Sequence, residues 1–138
     1  MGGREDLLKS VPIFSELGRG DLSRLAKLMV PRAVKAGDAV IEEDDQAAGF
    51  FVVSSGKLVA ERGGKKLATY GPGDFFGEMA LFEGFPRSAT VRAIEDSECL
   101  AMTRWDFTAE LKNRPQIAVG MLPVLVRRLR ETDERLAD

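Results

Sequence analysis

Two short clusters in this 138-residue chain combine residue types suited to one kind of chemistry. The first is Gly77-Glu78, which precedes the apolar run Met79-Ala80-Leu81-Phe82. Glycine has no Cβ, so another group can approach the backbone closely there. A helical turn starting at that point leaves N–H groups unpaired and pointing outward, which suits an anion. Nine residues after Glu78 stands Arg87, between Pro86 and Ser88. A guanidinium joined by backbone N–H groups is the equipment for one phosphate. A carboxylate fixed nearby is the equipment for a sugar hydroxyl, as the acidic residue of dinucleotide-binding folds illustrates. The competing reading makes Glu78 and Arg87 a structural ion pair and Ser88 the cap of a turn.

Residues 1–30, the first of the segments that must position these groups, read as helical. Leu7, Leu8 and Val11 form a short piece ended by Pro12. Asp21 or Gly20 then caps a second piece with apolar positions at Leu22, Leu25, Ala26, Leu28 and Met29, and Pro31 stops it. From residue 32 to 103 the pattern is one of short β-favouring runs: Val34, Val40-Ile41, Phe50-Phe51-Val52-Val53, Leu58-Val59, Leu67-Ala68-Thr69-Tyr70, and residues 89–94 and 98–103. Gly37-Asp38, Ser54-Ser55-Gly56 and Gly71-Pro72-Gly73 punctuate them, and Gly63-Gly64 marks a tight hairpin. Short strands at this spacing predict a sandwich or barrel.

Beyond residue 103 helix returns. Thr103 caps residues 104–112, where Trp105 and Phe107 read as packing residues. Pro115 opens a final helix that runs to about Ala137. Ala118, Leu122, Leu125, Leu129, Thr132 and Leu136 recur along it as a heptad-like seam. Pro123 would cost about 3 kcal/mol in a regular helix interior, so a kink or break is expected near residues 119–123. Arg127, Arg128 and Arg130, interleaved with Glu131 and Glu134, read as a solvated face.

Phe76-Gly77-Glu78-Met79-Ala80-Leu81, four linking residues, and Pro86-Arg87-Ser88-Ala89-Thr90-Val91 together resemble the phosphate-binding cassette of the cyclic nucleotide-binding domain family. Gly37, Gly56 and Gly71-Pro72-Gly73-Asp74 resemble that family's turn glycines, and the resemblance covers about residues 10 to 136. It implies a single α+β domain over residues 1–138. An antiparallel β-roll of jelly-roll type would occupy residues 31–103 and contain the cassette at 71–91. Helices at 1–30 and 104–138 would flank it, the last acting as lid and dimer helix.

The resemblance also implies a cyclic nucleotide ligand, with cAMP favoured and cGMP the alternative. Arg87 would pair with the exocyclic phosphate oxygens, joined by the Ser88 hydroxyl, the Ala89 N–H and the N–H groups of Glu78, Met79 and Ala80. Glu78, beside Gly77, would accept from the ribose 2′-hydroxyl. Val59, Leu67 and Phe76 from the roll, with Leu129 or Thr132 from the final helix, would shelter the base. Thr132 falls where the catabolite-activator branch has a threonine on the adenine amino group, although it also fits as heptad filler. Asp133 departs from the serine common there, and a hydroxyl at the Ser88 position helps select guanine in the family's kinases. Ligand would draw the cassette inward and repack the final helix over the base, hinged near Pro123, as a population shift.

Composition removes other classes. The sequence has no histidine, which excludes His-ligated zinc, haem and non-haem iron sites and any His-based catalytic triad. The single cysteine, Cys99, excludes an intrachain disulfide and reads as a small core residue. No coherent carboxylate cluster supports an enzyme or a metal site. A net charge of −2 argues against a chain that grips duplex DNA. No helix-turn-helix follows residue 138, so the expectation is either a fragment, the sensor half of a catabolite-activator-type transcription regulator, or a chain whose output is another protein. No apolar run reaches transmembrane length and the N-terminus lacks a signal-peptide core, so a cytoplasmic protein without membrane contact is expected. The expected partners are the nucleotide and either a second copy, through the C-terminal helix, or an effector protein. The alternative is a degenerate roll used only for protein–protein contact.

Overall fold

Strand-forming residues between Val30 and Thr103 make two four-stranded antiparallel sheets in the computed structural model, which describes residues 3–42, 49–81 and 89–137. The strands are β1 (Val30–Val34), β2 (Ala39–Ile41), β3 (Gly49–Ser55), β4 (Leu58–Arg62), β5 (Lys65–Tyr70), β6 (Phe75–Phe76), β7 (Thr90–Ala93) and β8 (Ser97–Thr103). One sheet runs β1-β8-β3-β6 and the other β2-β7-β4-β5. With the helices α1 (Gly3–Lys9), α2 (Arg19–Ala26), α3 (Arg104–Asn113) and α4 (Gln116–Ala137), this is the expected α+β fold. Pro31, expected to stop a helix, lies instead inside the edge strand β1, where a missing N–H is tolerated. The preceding helix has already ended at Ala26.

Turn chemistry sets the strand ends. Gly63 and Gly64 adopt φ of 57° and 79°, the doubly positive pair of a tight hairpin, and join Arg62 to its register partner Lys65. At Gly56 the reason for glycine is close approach. Its φ is 94°, and an added Cβ would sit 2.6 Å from the Ser97 Cα. The bare backbone lets the β3–β4 turn meet β8, where the Lys57 N–H donates to Ser97 Oγ at 3.0 Å. Before β6, the Gly71 N–H donates to the Asp74 carboxylate at 2.8 Å and the Asp74 N–H donates back to the Gly71 carbonyl at 2.9 Å.

Burial follows from apolar runs and alternation. β3 is buried from Gly49 through Val53, so both of its faces are covered. Phe51 and Val53 join Leu58, Ala60, Phe76 and Cys99 in a continuous interior cluster, with Ala68 and Tyr70 packed against it. The Phe51 and Phe76 rings stack at 5.3 Å and 17°. Cys99 is fully buried, and that burial pushes its thiol up to about 11, the Glu98 charge adding to the effect and Arg32 opposing it. At pH 8 the native chain is therefore expected to react with a thiol reagent about a hundredfold more slowly than the urea-unfolded chain. Equal rates in the two states would contradict the burial.

The chain divides into two compact units, residues 28–107 and residues 1–27 with 108–138. In the helical unit, ion pairs Arg24–Glu110 at 3.2 Å and Arg114–Asp21 at 3.1 Å connect distant positions, and Arg127 pairs with Glu16. Asp21 is thus a first-turn acid and not the expected cap; Gly18 occupies the N-cap of α2 without a side-chain bond. Thr103 does cap α3, accepting the Asp106 N–H at 3.1 Å. Phe107 is fully buried as expected, whereas Trp105 is 68% exposed under the Arg104 guanidinium, 5.7 Å away. Two residues apart on a helix, they point in different directions.

α4 continues unbroken through Pro123, so of the expected kink or break the break does not occur. Pro123 is exposed, so the carbonyl it leaves unpaired can take water. Ile117, Met121 and Val124 are the buried set of α4. The exposed apolar set is Val119, Leu122, Val126 and Leu129, which shares Leu122 and Leu129 with the expected seam and replaces Ala118 and Leu125. Among the described residues no helix is long and apolar enough to cross a membrane.

Candidate functional site

The sequence from β6 to the following turn is decided by one backbone torsion. Phe76 is paired to Phe51 in β6 and is 5% exposed, which anchors it in the roll interior. Gly77 then takes φ of 81°, a conformation that an L side chain would strain. The chain turns there into the 3-10 turn Glu78–Leu81, at the place where a helical turn is expected. Gly77 and Glu78 are half-buried, while Leu81 is fully buried and holds the far end of the turn. A rigid aromatic, a positive-φ glycine, a carboxylate and the amides of Met79 and Ala80 therefore leave the roll in immediate succession. Such a turn presents donors and one acid to a small polar ligand.

The other expected residues are placed as follows. Ala89 is half-buried and directly precedes β7. Arg87 and Ser88 lie outside the described residues. Val59 is 9% exposed, and strand alternation directs it to the face opposite Leu58 and Ala60, which belong to the interior cluster with Phe76. Leu67 is 49% exposed and Ala68, its neighbour, packs on the interior. Leu129, 63% exposed, and Thr132 lie on the solvent-facing surface of α4. The Thr132 hydroxyl donates to the Arg128 carbonyl at 3.0 Å, the back-bond common for a helical threonine. The structure thus assembles Phe76 through Ala80 as one turn and does not bring Val59 or Leu67 into the interior cluster with Phe76.

One residue escaped the sequence reading. Tyr70, the last residue of β5, packs on the interior cluster with its ring centroid 4.9 Å from that of Phe76. Burial raises its phenol pKa, and the Glu78 and Asp74 charges raise it further. The available signal was the period of two running forward from Ala68. Among the described residues no group of three or more potential metal ligands occurs.

A family model described as the cyclic nucleotide-binding domain matches residues 31–114. The chain is 34% identical over 134 residues to the cyclic AMP receptor protein of Thermus thermophilus, with 94% of this chain and 62% of that protein covered. It is 32% identical over 126 residues to a cAMP-dependent protein kinase regulatory subunit of Hypocrea atroviridis, covering 91% of this chain and 26% of the relative. Among solved structures, the N-terminal domain of a transcriptional regulator from Streptomyces coelicolor A3(2) superposes with a TM-score of 0.89 at 31% identity, covering 95% of each chain. This chain belongs to the cyclic nucleotide-binding domain family. It spans less than two thirds of the length of the two relatives just described.

Proposed function

We propose that the chain is a cytoplasmic sensor that binds cAMP in preference to cGMP, without metal or other cofactor, and passes the event on through its C-terminal helix. The observation that carries this reading is the turn at Gly77–Leu81, where a positive-φ glycine sets one carboxylate and successive amides at the edge of an apolar roll. An anionic phosphate beside a sugar hydroxyl is the ligand such a turn serves. Arg87, Ser88 and the Ala89 N–H complete the phosphate contacts in this reading, and Glu78 holds the ribose. Relatives that are named for cAMP support that choice of nucleotide. Titration calorimetry of the chain with cAMP and with cGMP tests it. Saturable binding that is tighter for cAMP is expected, and absence of heat with both nucleotides would leave the roll as a protein–protein module.

The output in this proposal is regulatory, as in a catabolite-activator-type transcription regulator, with no nucleic acid contacted by this chain. Val119, Leu122, Val126 and Leu129 recur at spacings of three and four along an exposed face of α4, which supports a homodimer through that helix. Arginine at both Leu122 and Leu129 would place two like charges in each half of such a seam. The double variant is expected to run as a monomer in light scattering at concentrations where the parent chain is a dimer. Two monomeric proteins would refute the seam.

A further inference from the structure

We propose that Tyr70 is a second reader of the sugar, its phenol O–H donating to the ligand 2′-oxygen while the Glu78 carboxylate accepts the proton of that same hydroxyl. The inference rests on the cyclic-nucleotide reading and adds to it the residue that makes recognition of the hydroxyl two-sided. A hydroxyl is both donor and acceptor, and a carboxylate alone satisfies only its donor half. A phenol beside that carboxylate supplies the other half.

Three features place it there. Tyr70 is half-buried, so its ring is held while its polar tip stays accessible. Its ring lies at 31° to that of Phe76, and Phe76 is separated from Glu78 by Gly77 alone, so the tyrosine is tied to the wall from which the carboxylate departs. Its hydroxyl makes no hydrogen bond to another described residue, which leaves the donor available. Burial and the two neighbouring carboxylates raise the phenol pKa, so it remains protonated, and therefore a donor, throughout the neutral range. The structural alternative, a ring that only fills the roll, needs no hydroxyl at all: phenylalanine would serve equally.

That contrast defines the test. Calorimetry of the parent chain and of Tyr70→Phe is run with cAMP and with 2′-deoxy-cAMP. The variant is expected to bind cAMP about tenfold more weakly and to bind the deoxy ligand unchanged, so that its preference for ribose falls by about tenfold. An unchanged ribose preference overturns the assignment while leaving the cAMP reading intact. A parent chain that binds neither nucleotide overturns both. Tyr70 is the one tyrosine of the chain, so its ring resonances give a second readout that needs no variant. They are expected to shift further with saturating cAMP than with 2′-deoxy-cAMP, and equal shifts count against the contact.

Discussion

Replacing Arg87 with alanine is expected to weaken cAMP binding by two orders of magnitude or more while leaving the roll folded. The cyclic phosphodiester carries one full negative charge, and a guanidinium can meet its two exocyclic oxygens with two N–H groups at once. Each charge-assisted bond contributes about 1.5–3 kcal/mol, so losing two corresponds to roughly a hundredfold to ten-thousandfold in Kd. Backbone amides at the Glu78–Leu81 turn would remain, which is why residual binding at high nucleotide concentration is expected. Calorimetry gives the affinity, and far-UV circular dichroism reports the fold. A variant that binds within a few-fold of the parent would show that the guanidinium does not face the phosphate and would return Glu78 and Arg87 to the structural reading.

The second large effect concerns stability. Phe51→Ala is expected to destabilise the chain by about 3–5 kcal/mol, the usual range for removing a buried aromatic ring. Phe51 sits in β3, 5% exposed, with Phe76 stacked on it at 5.3 Å and Arg32 5.8 Å from its ring centre. Its neighbours are held in antiparallel ladders on both sides, Ala101 of β8 and Phe76 of β6, so they cannot readily collapse into the space. Urea denaturation would show this as a lower midpoint at similar slope. Because Phe76 leads directly into Gly77 and Glu78, cAMP affinity should fall as well. A loss below about 1 kcal/mol would mean that the interior repacks freely, against the crystal-like packing expected of such a core.

Local chemistry made much of this legible in the sequence. Gly63-Gly64 announces a turn because few other residues accept two positive φ values in succession. Thr103 announces a cap because its hydroxyl can take an N–H three residues on. The cassette letters from Phe76 to Leu81 announce their turn because a glycine precedes a run too short for a longer helix. What stayed hidden was a choice between equivalent local options. Gly18, Gly20 and Asp21 can all begin a helix; the helix begins after Gly18, and Asp21 inside its first turn pairs with Arg114, a residue 93 positions away. Trp105 and Phe107 are both aromatic, and only the three-dimensional fold says which of them turns inward. On α4 the expected set 118/122/125/129 and the exposed apolar set 119/122/126/129 overlap at two members, and the second follows from the inward turn of Ile117, Met121 and Val124. Hydrophobicity alone also does not separate Val59 and Leu67 from Ala60, Ala68 and Tyr70; strand alternation does, and the second set is the one that meets the interior cluster.

The order of strands in the first sheet also has a consequence for how the chain is made. β8 lies between β1 and β3, pairing Val30 with Ala101 and Gly49 with Thr103, yet it is the last strand to leave the ribosome. The β4–β5 hairpin can close as soon as Tyr70 is synthesised and β3 can meet β6 soon after, but β1 and the other side of β3 must wait for β8, roughly 40 to 70 residues downstream. During that interval Phe50, Phe51, Val52 and Val53 have no covering strand on the β8 side, and they form the stretch of the nascent chain with most reason to engage a chaperone.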